Sequence, residues 1–226
     1  EKLVQPASVA SFVESAHELQ NAVEQAVERQ LISDRPVGVY LSGGIDSSVV
    51  LDCMARVRGN IDTFSVGFDL EEAEGKQKFN YDFDVAKKTA AYYGTRHHEV
   101  LVSSDDVVAL LPKLIWHMDE PISKATAVAM MKIAKTTKDT VAVVLGGDGG
   151  DELFGGYDRY RLGLWADTYQ RLPRAWRRLL DQMPRLKKLD VSPGLDRYVL
   201  FMFQKHPILK RLVSSPYLNN YPYEFF

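Results

Sequence analysis

The sequence predicts an α/β fold: a doubly wound parallel sheet with a helical extension towards its C-terminal end. Three observations point there. Short apolar runs at Val37 to Leu41, Ile61 to Phe68, His98 to Val102 and Val141 to Leu145 read as strands covered on both faces. Helical stretches separate them, which is the alternation of a parallel sheet. Two glycine-rich loops follow the first and the last of these runs, at the carboxyl ends of strands, where sheets of this kind bind ligands.

The elements can be justified in order. Val9, Phe12, Val13, Ala16, Leu19, Val23, Val27 and Leu31 recur at helical spacing over residues 9 to 31, with Ser11 and Glu14 placed for a capping box and Ser8 as an alternative N-cap. Asp34-Arg35-Pro36 ends that helix and leads into the first strand. A helix-compatible stretch runs from Val49 to about Arg58, and Ile61 to Phe68 is a second strand. Polar residues from Asp69 to Asn80 are expected to form a flexible loop. Asp82 to Tyr93 reads as a helix with Gly94 as its left-handed C-cap. His98 to Val102 is a third strand, Asp105 to Met118 a helix with an acidic start, Ala125 to Lys138 another helix, and Val141 to Leu145 a fourth buried strand. The pattern changes after about residue 160. Trp165, Tyr169, Trp176 and the cations of Arg171 to Arg178 read as peripheral helix, and with Arg185 to Lys188 as solvated helix faces rather than a binding patch. Residues 1–165 are therefore read as the main domain and 166–226 as a helical extension, a truncated part of the same domain.

Composition bounds the function. The 226 residues carry a formal net charge of −2, which gives no electrostatic case for nucleic acid or a membrane surface. No apolar run reaches the roughly 18 residues of a membrane span, and no signal peptide is visible. Cys53, the single cysteine, excludes an internal disulfide framework and fits a reducing cytoplasm; in its apolar helix it reads as a small buried hydrophobe. The chain starts at Glu1 without methionine and is expected to be a fragment of a longer protein.

The first loop, Leu41-Ser42-Gly43-Gly44-Ile45-Asp46-Ser47-Ser48, lies between a strand and a helix. Small residues there let backbone N–H groups approach a phosphate, and the serines add hydroxyls. Asp46 is out of place in a plain anion cradle unless a cation sits beside it, so the loop points to a polyphosphate with its magnesium ion. No lysine follows the glycines, which excludes the common phosphate loop, and G-x-G-x-x-G is absent. The second loop, Gly146-Gly147-Asp148-Gly149-Gly150-Asp151, sets glycines among carboxylates suited to Mg²⁺, a hard cation that takes oxygen ligands. Adjacent His97 and His98 point to opposite faces of their strand and do not chelate one ion; one of the two rings is expected to be buried.

SGGIDSS resembles the pyrophosphate loop of the N-type ATP pyrophosphatases, the PP-loop or adenine nucleotide alpha hydrolase type of fold. With FSVGF (Phe64 to Phe68), GTRHHE (Gly94 to Glu99), DEP (Asp119 to Pro121) and GDGGDELFGGYDRY (Gly147 to Tyr160) in order, the chain resembles the synthetase domain of glutamine-hydrolysing asparagine synthetase over roughly residues 8 to 165. The resemblance implies a ligase. ATP, as co-substrate with Mg²⁺, activates the β-carboxylate of aspartate as β-aspartyl-AMP, and ammonia released from glutamine by an N-terminal glutaminase domain then displaces AMP. It assigns Ser42, Gly43, Gly44, Asp46, Ser47 and Ser48 to pyrophosphate, Leu41 and Val66 to adenosine, and Gly146 and Gly147 to the α-phosphate and ribose. Asp46 and Asp151 match magnesium-binding positions, and Asp148 an acidic position linked to intermediate formation. A homodimer is left open.

Three departures bear on this. Gly146 stands where the family usually has serine. Ser123-Lys124-Ala125-Thr126 replaces a small-Asp-Pro-Ser stretch on the substrate side. The later VPFLD-like and GKxxLR-like segments, the second carrying a lysine linked to the adenylation transition state, are missing, as is the glutaminase. They keep open a relative acting on another carboxylate (a β-lactam synthetase, lasso-peptide cyclase or sugar amidotransferase type) and a catalytically silent ATP-binding module.

Overall fold

Val37–Tyr40 forms β1 at the inside of a four-stranded, all-parallel sheet, and every other element of the first half is placed by reference to it. The computed structural model describes residues 11–70, 73–119 and 126–180, and divides the chain into two compact units, Glu1–Asp148 and Gly149–Phe226. Ser8 and Val9, Glu120 to Ala125 and Arg185 to Lys188 lie outside the described residues.

In the first unit the order is α1 (Phe12–Gln30), β1, α2 (Ile45–Val57), β2 (Asp62–Phe68), α3 (Ala73–Tyr92), β3 (Arg96–Val102), α4 (Ser104–Met118), α5 (Thr126–Thr137) and β4 (Val143–Leu145). The sheet order is β3-β2-β1-β4. From β1 the chain winds outward through β2 to β3, then returns to the other side of β1 as β4, with Val37 beside Val143 and Val39 beside Leu145. The order thus reverses between β1 and β4, the position where doubly wound sheets open a ligand crevice.

Side-chain alternation explains the two layers. Val37, Val39 and Leu41 point to one face, where they pack with Val27 and Leu31 of α1, Leu51, Cys53 and Met54 of α2, and Ala86 and Ala90 of α3. On the other face Phe64 and Val100 meet Ile133 of α5 and Val141, and Val102 meets Leu114 of α4 with Val128 and Ala129 of α5. Val39, Leu51, Met54 and Phe64 are fully buried, each worth about 1.5–3 kcal/mol of transfer free energy. Cys53 is buried as expected, and burial pushes its thiol pKa upward.

Helix ends follow local chemistry. Ser11 Oγ accepts from the Glu14 N–H at 3.2 Å while Glu14 Oε2 accepts from the Ser11 N–H at 2.8 Å, the expected capping box. Gly94 ends α3 with φ +63°. Three expectations fail. The stretch read as a loop from Asp69 to Asn80 is helical from Ala73 onward, because Ala73, Glu74, Lys76, Gln77 and Lys78 are all good helix formers and polarity alone does not separate a helix from a loop. The last strand, read as buried, is an edge strand among the described residues, three residues long with Val143 40% exposed. Neither histidine ring is fully buried: both are half-buried, and each is bonded on its own face of the sheet.

The second unit holds α6 (Gly150–Phe154), α7 (Asp158–Gln170) and α8 (Arg174–Leu180). Residue 165, where the sequence reading divides the chain, lies inside α7. Ala166 and Tyr169 are buried, and the Tyr169 hydroxyl donates to the Arg177 carbonyl at 3.1 Å; Trp165 and Trp176 are exposed.

Candidate active site

The end of β1 is fixed by Leu41, buried and donating its N–H to the Phe64 carbonyl at 2.8 Å. The chain then turns through Ser42-Gly43-Gly44 into α2. Gly43 has φ +78°, and a Cβ there would stand 2.2 Å from the Asp82 carbonyl oxygen on α3. Only glycine lets the loop sit this close to α3. Gly44 is the N-cap of α2 and has no side chain to bond the first-turn N–H groups, which lack partners within the helix. The positive end of that helix suits an anion.

The three serines bond the loop itself. Ser42 and Ser47 hydroxyls lie 3.0 Å apart, Ser47 Oγ accepts from the Ser42 N–H at 3.2 Å, and Ser48 Oγ donates to the Gly44 carbonyl at 2.8 Å. Ser47 is buried, so its hydroxyl shapes the turn. Asp46, one residue earlier, is exposed in the first turn of α2.

The loop after β4 reaches the same place. A Cβ on Gly147 would lie 2.5 Å from the Ser47 nitrogen and 2.8 Å from Asp46 Cβ, so the bare backbone of Gly147 is seated on the first turn of α2. Gly146 and Asp148 flank this contact; a Cβ on Gly146 would come 3.1 Å from Asp148 Oδ2, so the exposed Asp148 carboxylate folds back over this glycine. The structure therefore brings together Leu41, Ser42, Gly43, Gly44, Asp46, Ser47, Ser48, Gly146, Gly147 and Asp148. Val66, on the adjacent strand, turns its half-buried side chain to the α4–α5 layer, where it packs with both clusters of that face.

Asp151 belongs to the second unit, in the first turn of α6. Gly156 donates its N–H to the Asp151 carbonyl at 3.1 Å, and a Cβ there would overlap Asp151 Oδ1 at 2.0 Å, so Gly156 leaves the room this carboxylate occupies. Beside it the Tyr157 hydroxyl donates to Glu152 at 2.5 Å. That bond lowers the Glu152 pKa and raises the Tyr157 pKa.

The sequence reading missed the residues that hold β2 behind the site. Asn80 donates to the Phe68 carbonyl and accepts from the Phe68 N–H, both at 2.7 Å, locking the end of the strand. Gly67 makes room for Phe83 and Asn80, since a Cβ would stand 2.9 Å from the Phe83 ring and 3.1 Å from Asn80 Oδ1. A glycine inside a strand, just before a polar stretch, was the available signal.

Among the described residues no three His, Cys, Asp or Glu side chains gather as a metal cluster. The donors fit Mg²⁺ in kind. Mg²⁺ is held by one or two carboxylates plus substrate phosphates and water rather than by an all-protein cage, and an exposed carboxylate at Asp46 beside an open helix N-terminus offers such a half-site.

The asparagine synthase family profile matches residues 18–208. The chain belongs to the asparagine synthase family. It is 38% identical over 192 residues to asparagine synthetase [glutamine-hydrolyzing] 1 of Bacillus subtilis (strain 168), covering 80% of this chain and 29% of that protein. It is 36% identical over 168 residues to the putative asparagine synthetase [glutamine-hydrolyzing] 2 of Methanocaldococcus jannaschii, covering 73% of this chain and 31% of that one. The chain thus spans under a third of the length of these relatives. An NH3-dependent NAD synthetase structure from Campylobacter jejuni is similar at TM-score 0.40 and 15% identity, over 66% of this chain and 61% of that one.

Proposed function

We propose that this chain is the ATP-binding, amide-forming part of an asparagine synthetase: it adenylates the β-carboxylate of aspartate, releases pyrophosphate, and lets ammonia displace AMP. The contact of Gly147 with Ser47 and Asp46 carries the reading, because it joins the two motifs that such a reaction needs at one helix N-terminus. Gly43, Gly44 and the first-turn N–H groups of α2 receive the β- and γ-phosphates and the charge that develops on pyrophosphate as it leaves. The backbone at Leu41 and Val66, on neighbouring strands, bounds the adenosine, and Gly146 and Gly147 leave space for the α-phosphate and ribose. Asp148, beside them, is assigned to forming the intermediate. Asp46 would hold Mg²⁺, which when bound neutralises the leaving group; Asp151 is assigned to magnesium by the family resemblance alone. No covalent enzyme nucleophile is required.

In the full-length protein a glutaminase domain supplies the ammonia. A net charge of −2 supports small-molecule substrates over nucleic acid. No described helix is long and apolar enough to cross a membrane, and a cytoplasmic location goes with this reading.

The test is AMP and pyrophosphate release by the complete gene product with Mg·ATP and ammonia, with and without aspartate. Aspartate-dependent release with asparagine formed is expected. Release that requires a different carboxylate would reassign the acceptor. Asp46→Ala should abolish Mg·ATP binding in calorimetry with little change in Tm, since an exposed carboxylate in the first turn of a helix makes few packing contacts. Unchanged affinity removes Asp46 from the metal site.

A further inference from the structure

His97 sits at the centre of a chain of hydroxyls on the α3 side of the sheet, in a place the reaction does not use directly. Its Nδ1 is 2.9 Å from Thr63 Oγ1, its Nε2 is 3.0 Å from Ser65 Oγ, and Thr63 Oγ1 is 2.8 Å from Thr95 Oγ1. Thr63 and Ser65 are buried, so each proton in this chain must go to a named acceptor. The direction can be solved from the buried end. Ser65 Oγ is buried against His97 Nε2 and donates its single proton there. The neutral ring then carries its hydrogen on Nδ1 and donates it to Thr63, Thr63 donates to Thr95, and Thr95 to the Ala90 carbonyl at 3.3 Å. The ring is therefore the neutral Nδ1–H tautomer. The run from Ala90 to Ser65 ties the end of α3, the start of β3 and the second half of β2 together.

We propose that His97, held as the Nδ1–H tautomer, is a positioning residue that fixes the Ser65–Val66 segment of β2 for the adenosine of ATP; this rests on the assignment of Val66 made above. Ser65 and Val66 are successive residues of one strand, so anchoring the first on the α3 face sets the backbone at the second. Asn80 anchors the same strand two residues further on.

Protonation would put a hydrogen on Nε2 and turn an acceptor facing Ser65 into a donor. Burial holds the His97 pKa below the usual histidine value. Glu99, paired with Lys87 at 2.8 Å, raises it, while His98 and Lys87 lower it.

The two ends of the ring can be separated by substitution. Gln reaches the place of Nε2 and can accept from Ser65; Asn reaches the place of Nδ1 and can donate only to Thr63. In the full-length protein, His97→Asn and Ser65→Ala should each weaken Mg·ATP binding about five-fold in calorimetry, the loss of one buried hydrogen bond. His97→Gln should stay within about two-fold of the natural protein. Nitrogen-15 NMR of the histidine-labelled natural protein, which requires no substitution, should show the Nδ1–H form. An Nε2–H or charged ring at neutral pH overturns the proposal, as does equal ATP affinity in all three variants with a lowered Tm, the mark of a purely structural ring. If the natural protein binds ATP and the variants do not differ, the inference fails and the assignment of the site stands. If the natural protein binds no ATP, both the site and the positioning role fall, while the NMR still reports the tautomer.

Discussion

Two helix N-termini in the first unit are built in opposite ways. At α4, Ser103 accepts from the Asp106 N–H, and Asp106 Oδ2 accepts from the Ser103 N–H at 2.8 Å and from the Lys132 ammonium. Two donors of that helix end, the Ser103 and Asp106 N–H groups, are satisfied by its own residues, and a cation from α5 balances the carboxylate. At α2 the N-cap is Gly44, which offers no side chain, and the acidic first-turn residue, Asp46, is exposed. The sealed end contributes stability; the open end leaves backbone donors to a ligand. The open one stands where the sheet order reverses, so the fold spends its best capping chemistry away from the crevice and withholds it there.

The comparison can be broken most severely at Gly43. Gly43→Ala would drive a methyl into the Asp82 carbonyl at a positive φ, and should cost about 3 kcal/mol in chemical denaturation; retention of natural stability would show that the loop does not rest on α3. Next comes Gly147→Ala, which pushes the second loop off Ser47. Mg·ATP affinity should fall about 10- to 100-fold, with a smaller drop in Tm. At the sealed end, Ser103→Ala should lower stability by about 1 kcal/mol and leave ATP affinity untouched. The Asp106 carboxyl is held at about 2 by the Lys132 ammonium and by Ser103. Since its folded pKa lies below the unfolded value, its contribution is present above about pH 4 and is lost as pH falls towards 2; Asp106→Asn should flatten the acid side of the stability curve in that window. The smallest change seals the open end. Gly44→Ser meets only Ser42 Oγ at 3.3 Å, should stabilise α2 by a few tenths of a kcal/mol, and should weaken ATP binding as its hydroxyl takes a donor from the phosphate.

The sequence was most readable where chemistry is local. An apolar run, two glycines and an aspartate at a helix start announce β1, the loop and α2, and Ser11 with Glu14 announces a cap. His97 and His98 were separable because consecutive strand residues alternate, although their partners, Thr63 and Ser65 on one face and Asp62 and Phe64 on the other, become visible only with β2 beside β3. The first turns of α3 were misread because lysine and glutamate serve solvated helices and loops alike. The seat of Gly43 against Asp82, and of Gly147 against Ser47, was not legible: glycine in a motif says that something comes close, and the fold alone says what.

The pairing of β1 has a consequence for how the protein is made. Val37 finds its β4 partner, Val143, about a hundred residues later in the chain, a long closure that slows folding. As the polypeptide leaves the ribosome, the SGGIDSS turn emerges ahead of β4, and one flank of β1 has nothing to join until Val143 to Leu145 arrive. The seat of Gly147 on α2 thus forms only once that second loop has arrived, and chains interrupted before that point carry the first glycine loop without the second.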